Sequence, residues 1–156
     1  MKPRYQNITS EQISVIHRDD GVLIRVIAGE VDGICGPVTD LVADPTYLDV
    51  TIPSEGTFSH PVKRGHAAFA YVFEGEGIFG NNGEETEKTI SQPRLVVFGD
   101  GDYVKASAAI KPVRFLLVSG KPLNESIARY GPFVMNTQEE IEQALEDLRT
   151  GTFVKN

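Results

Sequence analysis

After Gly21, apolar side chains occupy Val22, Ile24, Val26 and Ala28, and Leu23 and Ile27 between them are apolar as well. A period of two predicts a strand, and the second apolar row predicts cover on both faces. The alternation returns in Tyr47 to Ile52, where Leu48, Val50 and Ile52 share one face and Asp49 and Thr51 the other. His66 to Phe73 predicts a third strand, Leu95 to Phe98 a short and wholly apolar one, and Val113 to Val118 a buried one. Turn chemistry separates them at Asp32-Gly33, Gly36-Pro37, Pro53 with Gly56, and Gly99-Asp100-Gly101-Asp102. The run GEGIFG, Gly75 to Gly80, predicts a hairpin turn, and Asn81-Asn82-Gly83 a hairpin-like loop in solvent. Strand follows strand with no helix between, which argues against a parallel sheet and for a single antiparallel β-sandwich or barrel.

The ends differ. Residues 1–20 look irregular and polar, an arm before a barrel over residues 21–120. Residues 121–156 form a tail that starts with few strand signals. It ends in an amphipathic helix predicted over about 138–149, with Thr137 and Glu140 as a capping box and Gly151 as the stop. Ile141, Ala144, Leu145 and Leu148 make one apolar stripe. That stripe must lie on something, either the chain's own sandwich or another subunit.

Composition narrows the function. A chain of 156 residues with 40% hydrophobic content has enough for one core. A net charge of −7 argues against direct nucleic-acid binding, which needs a basic face. No stretch approaches the roughly 20 apolar residues of a membrane span, and the N-terminus lacks the apolar segment of a secretory signal. The single cysteine, Cys35, rules out an internal disulfide. It is expected to be a small buried hydrophobe, in a protein of the reducing cytoplasm.

The chemistry-bearing candidates cluster in Gly56 to Gly77, which holds His60 and His66, two of the three histidines. The spacing is similar to the first motif of the cupin superfamily. In that motif His-x-His and a later Glu sit between two glycines, on alternate residues of a strand that face a barrel interior. Gly56 and Gly75 take the glycine positions, but the ligand positions fall on Val62, Arg64 and Ala68. In the second motif, approximated from Phe98 to Ala108, Gly101 takes a glycine, and the His and Asn positions fall on Val104 and Ala108. Neither motif keeps a metal ligand, so no metal and no cofactor is expected. His60, before Pro61, is expected in a loop. His66 shares parity with Val62 and Ala68. It is either a partly buried histidine satisfied by backbone or a polar contact in a barrel mouth. Arg64 is either a solvated strand-end charge or an inward group able to hold an anion. These three are the candidate ligand-pocket residues. No catalytic residue is expected: serine-nucleophile, P-loop and dinucleotide signatures are absent, and Glu74 and Glu76 beside a turn are expected in solvent.

Beyond spacing, the runs IAGEVDGICGPV, FSHPVKRGHAAFAYVFEGEGIFG, VVFGDGDYV and GKPLNESIARYGPFVMNTQEEI resemble the C-terminal half of the pirin family, from about Arg4 to Phe153. The resemblance implies a cupin domain from a two-cupin architecture, with residues 1–20 corresponding to the interdomain linker. It also implies that the family's iron ligands, and the quercetin oxidation of some members, belong to the other domain. No family ligand can be carried onto a position here. The expectation is therefore a non-catalytic binding or structural module that self-associates as a homodimer in imitation of a bicupin, with exchange of C-terminal tails as one form of it. The alternatives are a quercetinase-like metal-dependent dioxygenase, or half of a split pirin completed by a separate iron-bearing chain.

Overall fold

A computed structural model describes residues 5–80 and 89–154. The expected solvent loop at Asn81-Asn82-Gly83 lies outside the described residues. The chain divides into two compact units, Met1–Pro122 and Leu123–Asn156.

The first unit is a curled antiparallel sheet. Its strands are β1 (Ser14–His17), β2 (Leu23–Ala28), the small hairpin β3 (Glu30–Val31) and β4 (Ile34–Cys35), β5 (Thr46–Ile52), β6 (Thr57–Pro61), β7 (Ala67–Phe79), β8 (Thr89–Ser91), β9 (Arg94–Val97), β10 (Tyr103–Ser107) and β11 (Val113–Gly120). The main sheet runs β1-β2-β5-β11-β7-β10-β6, with β8 and β9 also paired to β7. The long β7 belongs to both layers. Its first half pairs with β11 and β9, and its second half with β10 and β8.

Gly75 makes that passage possible. Phe73 is an extra residue against β11, since Arg114 faces Glu74 and Phe115 faces Val72, a bulge that bends the strand. Gly75 then takes φ +75°, and a Cβ there would stand 2.1 Å from the Pro112 carbonyl oxygen. Gly75 and Gly77 therefore do not make the hairpin turn that the sequence suggests for Gly75 to Gly80, since β7 runs on to Phe79. They let a continuous strand approach its neighbour.

Alternation puts Ile24, Val26, Leu48, Val50, Ile52, Ala70, Val72, Phe115 and Leu117 into the core between the layers, each at most 1% exposed. Phe115 sits at its centre, edge-on to Phe58 at 5.9 Å and to Phe79 at 5.0 Å. The outward row of β5 is not simply polar. Asp49 is 8% exposed and takes two hydrogen bonds from the Arg114 guanidinium, at 2.9 and 2.7 Å, with Arg25 3.6 Å away. The expected irregular arm also contributes structure: Ser14–His17 pairs with β2, its Ile16 packed against the core and Val15 turned out.

The second unit holds a hairpin, β12 (Ala128–Tyr130) and β13 (Phe133–Met135), which the sequence did not signal, and the helix α1 (Gln138–Thr150). Gly131 at φ +54° turns the hairpin. The cap is as expected: the Thr137 hydroxyl accepts from the Glu140 amide, the Glu140 carboxylate accepts from the Thr137 amide at 3.1 Å, and Gly151 closes the helix at φ +75°. Its own backbone amide and then the Thr137 hydroxyl hold the Glu139 carboxyl below its ordinary range. The helix lies on the β12–β13 hairpin. Ile141 and Ala144 are buried, whereas Leu148, the last residue of the expected stripe, is 56% exposed.

Candidate functional site

The two cupin-type motifs do come together. The first motif supplies β6 and the start of β7, the second supplies β10, and β6 pairs with β10 so that His60 faces Val104. The frame is intact, but its ligand positions are filled otherwise. Val62, Ala68, Val104 and Ala108 are at most 8% exposed and belong to the one apolar core that holds Phe115. Arg64 lies exposed in the connection between β6 and β7. Among the described residues no group of three or more His, Cys, Asp or Glu side chains is placed to hold a metal ion. The iron that the fold family implies does not fit these residues. Alkyl groups and a solvated guanidinium have no lone pair to offer it.

The histidines change places relative to expectation. His60 is not in a loop. It lies within β6, 5% exposed, its ring nearly parallel to that of Phe58 with centroids 6.3 Å apart. Because β6 is the last strand of its layer, Pro61 at its end costs no ladder bond in the sheet interior. Burial pushes the His60 imidazole below its ordinary pKa, the Arg18 guanidinium nearby adds to this, and Asp32 partly opposes it. The ring is therefore neutral near neutral pH, both a donor and an acceptor. His66 lies just before β7, its amide bonded to the Lys63 carbonyl at 3.0 Å. Its side chain is 9% exposed, with Nδ1 buried and without a partner and Nε2 3.9 Å from Asp44. It does not line the main cavity. Arg64 is the solvated strand-end charge of the two alternatives.

A cavity of about 610 Å³ opens where the segment between β2 and β5 crosses the end of β6. Its walls include Cys35, Val38, Leu41, Thr46, His60 and Val62. Sequence reasoning expected Cys35 to be buried. Instead the two-residue strands of the β3–β4 hairpin stand it at the rim, exposed, with Sγ 3.8 Å from a Glu30 carboxylate oxygen. Asp44 and Lys63 form an ion pair at the same rim, which holds the Asp44 carboxyl below its ordinary range, and neither was singled out in the sequence. Their local motif is unremarkable; only the crossing of two distant segments brings them together.

Away from the cavity, the outer face of the first unit carries an apolar patch. Phe69 pairs with Val97 and Tyr71 with Leu95 across β7 and β9, at exposures of 38, 74, 40 and 58% respectively. Leu116 and Val118 of β11 continue it, opposite Tyr71 and Phe69. Among the described residues no helix is long and apolar enough to cross a membrane.

Comparison with known proteins gives one consistent result. Residues 47–154 match the model of the pirin C-terminal cupin domain. A pirin-like protein of Arabidopsis thaliana is 38% identical over 151 residues, covering 94% of this chain and 48% of that protein. The pirin of Homo sapiens is 36% identical over 151 residues, covering 96% of this chain and 50% of that protein. Among solved structures, a quercetin 2,3-dioxygenase from Acinetobacter baumannii superposes with a TM-score of 0.86 at 30% identity, over 96% of this chain and 50% of that one. The chain thus spans about half the length of the curated relatives it matches.

Proposed function

Since this chain belongs to the pirin family, as a C-terminal cupin domain of it, we propose that it is a non-catalytic, metal-independent binding and structural module that associates with a second copy of itself. The observation that carries the first part is the filling of the ligand positions. Val62, Ala68, Val104 and Ala108 are packed into the core, so restoring a ligand set would mean putting polar groups where alkyl groups now hold the barrel together. The A. baumannii dioxygenase is similar to this chain over half its own length only, and fold likeness alone does not carry an activity. Incubating the purified chain with quercetin and Fe(II) or Cu(II) tests this: no turnover above the metal blank is expected. Saturable turnover above that blank would overturn it.

The apolar patch of Phe69, Tyr71, Leu95 and Val97 supports self-association, because contiguous apolar faces of this kind are uncommon on monomers. An isologous pairing about a two-fold axis would cover both copies at once. The separate compactness of Leu123–Asn156 supports exchange of C-terminal units between copies. A separate chain carrying an iron-binding cupin is the competing occupant of the same face. The free, exposed thiol of Cys35 supports a reducing, cytoplasmic location.

A further inference from the structure

The cavity beside β6 has features that neither the lost metal frame nor self-association uses. His60 is 95% buried by its 5% exposure, lines the cavity, and has no hydrogen bond to its ring among the described residues. The buried side-chain atom left without a partner among the described residues is His66 Nδ1 and not a ring nitrogen of His60, so the polar edge of the His60 ring is open to water or to an occupant of the cavity. The rim carboxylates, by contrast, are engaged. Asp44 accepts from Lys63, Glu30 lies against the Cys35 thiol, and Asp40 accepts from the Thr39 hydroxyl at 3.2 Å. Three carboxylates and one lysine at the mouth disfavour an anion, and their engagement leaves no ready counter-charge for a cation. The mixed lining includes the apolar side chains of Val38, Leu41 and Val62, and the Phe58 ring is stacked on the imidazole. A volume of about 610 Å³ is in the range of small-molecule sites.

We infer that this cavity binds an uncharged small molecule with a compact apolar body and one hydroxyl or amide group, which hydrogen-bonds the His60 ring. The depressed basicity of His60 agrees with such a partner, because a neutral imidazole offers one donor and one acceptor. The inference deepens the binding side of the proposed function and rests on it. The two fail separately: quercetin turnover would refute the non-catalytic module without touching the cavity, and an inert cavity would leave the module standing.

The single cysteine supplies the readout, since Cys35 lines the cavity and is exposed. The probes are benzamide and benzyl alcohol, with benzoate and benzylammonium as charged counterparts, all at millimolar concentration. The uncharged pair is expected to slow alkylation of Cys35 by iodoacetamide and to shift the backbone amide signals of Gly36 and Val62. The charged pair is expected to do neither. His60→Phe should weaken benzamide binding at least tenfold; should that variant not fold, Leu41→Trp, which blocks the wall, should do the same. Protection by none of the four compounds, by all four equally, or undiminished in a folded variant would overturn the inference.

Discussion

His60 is the residue whose environment departs most from its local sequence. A histidine before proline suggests a loop, yet β6 is a terminal strand of its layer and tolerates Pro61 at its end. Its burial has a consequence for stability. The unfolded ring titrates at about 6.5, and the folded ring lower, so between those values the unfolded chain holds the extra proton. The contribution of His60 is therefore fully present above about pH 6.5 and is lost as pH falls toward the folded value. Urea unfolding of the wild type should weaken between about pH 7.5 and pH 5 more than that of His60→Phe; equal slopes would contradict the assignment. Asp49 gives a second expectation at this scale. Its carboxylate is 8% exposed and bridges β5 to Arg114 of β11 and Arg25 of β2. Asp49→Ala should lower stability by about 2 kcal/mol, the worth of charge-assisted bonds lost from a largely buried group, measurable as a fall in the urea midpoint at unchanged slope.

At the scale of elements, alternation made β2, β5 and β11 legible, and the capping box made α1 legible nearly to the residue. What alternation could not show was continuity through glycine. Gly75 and Gly77 resemble turn residues in any local window, but their role is close approach to Pro112, just before β11, and to Ser107 at the end of β10, a contact set by the tertiary bend of β7. Gly75→Ala should therefore cost more than about 3 kcal/mol, because both the positive φ and the carbonyl 2.1 Å away oppose a Cβ. A thermal melt superimposable on the wild type would contradict this. Thr137→Ala, by contrast, should cost about 1 kcal/mol, confined to the second unit. Hydrogen exchange should speed in α1 while β5 and β11 stay protected. The hairpin β12–β13 escaped sequence reasoning because its strands are three residues each, too short for alternation to register. The candidate site was half legible: the motif frame and its lost ligands follow from spacing, whereas the cavity joins residues 29–46 to β6, and no local pattern encodes that crossing.

For the whole molecule, the fold keeps a cupin frame and closes its centre with alkyl side chains, while the outer face of β7 and β9 stays apolar. Light scattering at micromolar concentration should show a dimer, and Leu95→Glu with Val97→Glu should shift it to monomer without loss of β signal. A monomeric wild type would sink the self-association. At the centre of the molecule, the frame is expected to hold no metal, because alkyl side chains fill its ligand positions. Titrating the chelator-treated protein with Fe(II), and separately with Zn(II), while following its thermal unfolding tests it most directly. A ligand that binds the native state must raise the melting temperature. A cooperative fold without metal and no shift at one equivalent of either ion are expected; a saturable rise of several degrees at one equivalent would show that the frame still holds a metal.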